Sequence, residues 1–85
     1  MSIQRWVSRP VEIEAVQWLG NLADMPAEWR ALDLLTIDAH GVLVIRTPEG
    51  PMRARHGDYV VRGTAGEFYP VKELIFRNKY QAVPE

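Results

Sequence analysis

The chain has 85 residues, 47 % of them hydrophobic, a formal net charge of −1 and no cysteine. That length makes one domain with a modest core, and the lack of cysteine rules out disulfides and thiolate metal sites. The balanced charge argues against a nucleic-acid binder working by bulk electrostatics, and no apolar run is long enough to span a bilayer. The opening Met1-Ser2-Ile3-Gln4-Arg5-Trp6 reaches a charge before any apolar run, so it does not read as a signal peptide. A domain this small gains buried area by pairing, so a homo-oligomer, most simply a dimer, is expected.

Residues 1–9 read as an N-terminal arm. From Val11 to Trp18 the sequence alternates, with Val11, Ile13, Ala15 and Gln17 on one face and Glu12, Glu14, Val16 and Trp18 on the other. A period of two predicts a strand whose second face passes from solvent into cover, and Pro10 suits its start. Gly20-Asn21 breaks it. Asn21 or Asp24 then caps a short helix with Pro26 in its first turn, ending near Asp33. Met25, Trp29 and Leu32 form its apolar stripe, with Trp29 the core anchor.

Leu34 to Ala39 and Val42 to Thr47 predict two strands joined by a tight turn at His40-Gly41. Leu35 and Ile37 share a face of the first; Val42, Val44 and Arg46 share a face of the second. After the turn Pro48-Glu49-Gly50-Pro51, residues Met52 to Arg55 alternate again, placing Arg53 and Arg55 side by side on an open face.

Residues 56–80 are the organising stretch. Gly57-Asp58 is turn chemistry, Tyr59-Val60-Val61 is strand material, and Gly63-Thr64-Ala65-Gly66 is a second turn or a bulged connection. Glu67-Phe68-Tyr69 returns as a strand before Pro70 opens a helix carrying Val71, Leu74 and Ile75. Asn78 to Ala82 closes as a last edge strand, and Val83-Pro84-Glu85 is a tail. The expected fold is a single small α+β domain over 1–85, mainly antiparallel sheet of five to six short strands. One short helix follows the first strand and a second lies near the C-terminus. Trp18, Trp29, Val60, Phe68, Ile75 and Phe76 are the expected core.

Candidate chemistry is sparse. His40 and His56 each precede a glycine in a turn, and no HxH, HExxH or clustered carboxylate pattern provides metal ligands. His56 with Asp58 has the makings of a general-base pair, but no nucleophile elbow accompanies it. Gly57, Gly63 and Gly66 do not form a phosphate loop, for no Lys-Ser/Thr follows. The arginines Arg46, Arg53, Arg55 and Arg62 fall in consecutive strands. On a shared face two or more of them would bind a phosphate, a nucleotide or an acidic partner. Tyr59 and Tyr69 are candidate stacking partners. No catalytic residue, metal or cofactor is assigned.

The string Gly57-Asp58-Tyr59-Val60-Val61-Arg62-Gly63, then Gly66-Glu67-Phe68-Tyr69-Pro70-Val71-Lys72, Ile75-Phe76 and Tyr80, resembles a family of small uncharacterised bacteriophage and prophage proteins. Its members end in a GDYIIRG-x-x-GEFYPCK-x-x-IF-x-x-x-Y pattern. Arg9-Pro10-Val11-Glu12-Ile13-Glu14-Ala15-Val16-Gln17-Trp18 is similar to the family's opening strand, so the resemblance covers both ends of the chain. Val71 departs from it, standing where relatives often carry cysteine, as does the extension beyond Tyr80.

The resemblance implies a phage accessory protein and transfers no catalytic residue. The expectation is a non-enzymatic protein of the infected host cytoplasm that binds a host or phage macromolecule, as a homodimer. The alternative is a small-ligand binder, such as a sponge for a phosphorylated signalling nucleotide, using Arg53, Arg55 and Arg62 with Tyr59 or Tyr69. A small hydrolase using His56 and Asp58 ranks last.

Overall fold

The computed structural model describes residues 3–5 and 10–84; Trp6 and Arg9 of the expected arm lie outside them. Among the described residues six short strands form two three-stranded antiparallel sheets, with two helices, which is a small α+β domain. The strands are β1 (Glu14–Gln17), β2 (Leu35–Ile37), β3 (Leu43–Thr47), β4 (Gly50–Ala54), β5 (Tyr59–Arg62) and β6 (Phe68–Val71). The first sheet has the order β1-β5-β6 and the second the order β2-β3-β4. Helix α1 is Ala27–Arg30 and α2 is Glu73–Lys79.

Register decides which side chains meet, because directly opposed residues point to the same face. In the first sheet Val16, Val60 and Pro70 lie abreast, as do Glu14, Arg62 and Phe68. This face turns inward. In the second sheet Leu35, Ile45 and Met52 share the inner face with Ile37, Leu43 and Ala54. Between the two faces sit Trp18, Met25 and Trp29, each 1 % exposed. Trp29 meets Phe68 edge to face, centroids 5.0 Å apart at 73°, the arrangement the ring quadrupoles favour. The expected burial of Trp18, Trp29, Val60 and Phe68 is observed.

Local chemistry accounts for the connections. Asn21 accepts a hydrogen bond from the Ala23 amide at 3.0 Å and so caps a 3-10 turn, Leu22–Asp24. The single predicted helix is therefore split: this turn comes first, then α1 with Pro26 at its cap. After α1 the chain turns at Asp33, in the left-handed region with φ 58°. Met25 and Trp29 are buried, but Leu32 of the same stripe is exposed, because the regular helix ends at Arg30. Asp38 Oδ1 accepts from the amides of His40 and Val42, closing the β2–β3 turn. Gly66, at φ 83°, sits in the β5–β6 turn, in a region other residues rarely enter.

Three expectations at the C-terminal end are corrected. Pro70 does not open a helix; it pairs with Val60 inside β6, where an edge strand tolerates the missing donor. Helix α2 starts at Glu73 after the extended cap Lys72, so its phase differs from the predicted one. Its inward residues are Glu73, Phe76 and Tyr80, at spacings of three and four. Leu74 and Ile75 point away, at 77 % and 57 % exposure, and Phe76 is half-buried. The helix also takes the residues Asn78 and Lys79, so the last edge strand over 78–82 does not form.

Phe68→Ala is expected to cost about 3–5 kcal/mol through the cavity left against Trp29, comparable with the whole stability of so small a domain. Ile75→Ser should change the stability of the monomer, measured at a concentration too low for self-association, by less than about 0.5 kcal/mol. Urea melts of both variants check the pair, and equal losses would contradict the assigned phase of α2.

Candidate functional site

The outer face of the second sheet carries the arginines. Thr36, Val44 and Arg53 stand abreast, Arg46 lies opposite Pro51, and Arg55 continues the alternation just past β4. Arg46, Arg53 and Arg55 are exposed around a half-buried Val44. Among the described residues the one ion pair joins Arg77 and Glu73, so none of these three guanidiniums is neutralised by a carboxylate there. At one end lies Asp38. Its carboxyl is held below the usual range by the Val42 and His40 amides, with smaller contributions from the charges of His40 and Arg53.

Arg62 does not join this face. The Gly57-Asp58 turn leads from one sheet to the other instead of closing a hairpin, so β4 and β5 are not partners. Asp58 Oδ2 accepts from the Arg55 amide at 2.9 Å, while the Trp18 carbonyl accepts from Gly57 and the Asp58 carbonyl from Trp18. The chain after β4 is thus tied to β1. Arg62 lies on the inner face of the first sheet, its guanidinium 5.4 Å from the Phe68 ring centroid. It closes the edge of the core by a cation–π contact.

Tyr59 and Tyr69 lie on the outer face of the first sheet with Ala15, Gln17, Val61 and Val71. Helix α2 covers this face. Phe76 stacks on Tyr59 with centroids 4.0 Å apart at 7°, and Tyr80 follows 4.9 Å from Phe76. A polar rail fixes the helix: Gln17 Nε2 donates to the Gly57 carbonyl at 3.0 Å and to Glu73 Oε2 at 2.8 Å. Glu73 Oε1 in turn accepts from Arg77 Nε at 3.3 Å. Burial raises the Tyr69 phenol above its ordinary range, and hydrogen bonding and charge from Tyr80, then the charge of Glu67, push the same way.

Concavities flank the domain on two sides of the described residues. One, of about 580 Å³, lies between α2 and the β1 segment and takes in Tyr59, Phe76, Arg77 and Tyr80 with Glu12. The other, of about 770 Å³, opens between the β3–β4 and β5–β6 turns and includes Arg46, Glu49, Glu67 and Tyr69. Neither is lined by Arg53 or Arg55. His56 is exposed beside the Asp58 turn, whose carboxylate is already engaged with the backbone. No group of three metal-ligating side chains occurs among the described residues, and none of their helices is long and apolar enough to cross a membrane.

Gln17, Glu73, Phe76, Arg77 and Tyr80 are site residues that sequence reasoning did not single out. The spacings Glu73–Arg77 and Phe76–Tyr80, both of four, were available as signals of one patterned helix face. Comparison with family models, with curated proteins and with solved structures finds no match to this chain.

The raised Tyr69 phenol gives a pH dependence. The folded state holds this proton more tightly than the unfolded chain, so its contribution is complete below the ordinary phenol range. It is lost as pH rises through the folded value. Denaturant melts across the alkaline range should show stability falling, and Tyr69→Phe should flatten that fall. An unchanged slope in the variant would remove Tyr69 as its cause.

Proposed function

We propose that this chain is a non-enzymatic bacteriophage accessory protein of the infected host cytoplasm that binds an acidic surface on a host or phage protein. The observation that carries the reading is the position of Arg53 and Arg55 on an open strand face outside both concavities, with Arg46 on the same face at the rim of one. A pleated face matches a broad partner surface, whereas a phosphorylated small ligand would be held by guanidiniums converging on a concavity. With the net charge at −1, three exposed arginines offer few phosphate contacts, which disfavours nucleic acid as the partner. The phage assignment rests on the resemblance of the motif over residues 57–80.

Self-association as a homodimer belongs to the same proposal, through a different surface. Two arginine faces opposed across a two-fold axis would repel. Leu74 and Ile75, on the outward side of α2, present apolar area without that penalty.

Two experiments test the proposal. Arg53→Ala combined with Arg55→Ala should leave stability within about 0.5 kcal/mol and lose the partner retained in pull-downs from infected cells. Full retention by the folded variant would reduce the face to a solvated surface. Sedimentation at micromolar concentration should show a dimer that Leu74→Glu converts to monomer. A monomer before substitution would remove the dimer.

A further inference from the structure

The concavity beside α2 has features that the arginine-face reading leaves unused. Its volume, about 580 Å³, falls within the range of about 300–1,000 Å³ typical of small-molecule sites. Its aromatic wall is assembled in advance: Tyr59, Phe76 and Tyr80 already form a continuous series of contacts. A flat ring added to that series pays little to reorganise the protein.

Charge is placed as deliberately as the rings. The Arg77 guanidinium lies 5.9 Å from the Tyr59 ring centroid, and its Nε is bonded to Glu73, which Gln17 holds from the other side. The remaining guanidinium nitrogens make no hydrogen bond among the described residues. They form a fixed fork at the edge of the aromatic wall, suited to a carboxylate. Glu12, exposed, also lines the concavity and has no ion-pair partner among the described residues. Glu73 already compensates the Arg77 charge, but the terminal nitrogens of Arg77 and the carboxylate of Glu12 each lack a partner among the described residues. A simple anion would therefore engage only the first and a simple cation only the second. A ligand carrying both charges and a ring complements all three elements.

We infer that this cleft binds a free aromatic α-amino acid, with the ring against Phe76 and Tyr80, the carboxylate at Arg77 and the ammonium at Glu12. The inference is independent of the arginine face, so either can fail without the other.

The test is a titration of the full chain followed by NMR at the Phe76 and Tyr80 ring resonances. The probes are L-phenylalanine, N-acetyl-L-phenylalanine, L-phenylalaninamide and L-alanine. L-phenylalanine should saturate with a dissociation constant below about 1 mM. Removing the ammonium, the carboxylate or the ring should each weaken binding by about tenfold or more. Arg77→Gln and Glu12→Gln should do the same, while Arg53→Ala binds as the parent does. Both substituted positions are exposed, and an unchanged melt confirms that each variant is folded. Equal binding of N-acetyl-L-phenylalanine would overturn the inference in favour of a peptide C-terminus. Equal binding of L-alanine, or no saturation by L-phenylalanine, would overturn it outright.

Discussion

The contact of Trp29 with Phe68 is the constraint on which the rest of the structure depends. A three-stranded sheet with one apolar face cannot hide that face by itself. Here two such sheets face each other, and the short α1 segment inserts Trp29 between them at 5.0 Å from Phe68. Trp18, Met25, Leu43, Ile45 and Val60 fill the remaining space, all at most 1 % exposed. In a disulfide-free chain of 85 residues the described residues form no second core to take over.

Spending the inner faces on a common core leaves function to the outer ones, and these differ in kind. The second sheet's outer face is open, with Arg46, Arg53 and Arg55 around Val44. The first sheet's outer face is overlaid by α2, which brings Phe76 and Tyr80 onto a sheet already carrying Tyr59 and Tyr69. The Gly57–Gln17–Glu73–Arg77 rail ties that helix to the β4–β5 turn. One side is thus suited to a charged surface and the other to a small ring.

The sequence made the strands legible because their alternation is strict. Val42, Val44 and Arg46 share a face as their period requires, and the Glu12–Trp18 face runs from exposed Glu12 to buried Trp18. Partnership between strands was harder to read. Gly57-Asp58 has the composition of a hairpin turn, yet its backbone bonds go to Trp18, and nothing local to the turn reports on a residue forty positions away. By sequence alone Arg62 groups with Arg53 and Arg55, although it covers Phe68 on the other sheet. The phase of α2 failed for a related reason. Pro70 is a helix-start signal taken alone, and its pairing with Val60 in an edge strand overrides it. The inward stripe then shifts from Leu74 and Ile75 to Phe76 and Tyr80.

Native-state hydrogen exchange tests most directly whether one inter-sheet core holds both sheets. The central strands β3 and β5 belong to different sheets. If neither sheet persists alone, the slowest amides of Leu43, Ile45, Val60 and Val61 open together, with one free energy equal to that of global unfolding by denaturant. If the β3 amides exchange through a lower-energy opening while those of β5 stay protected, the sheets fold separately and the account is wrong.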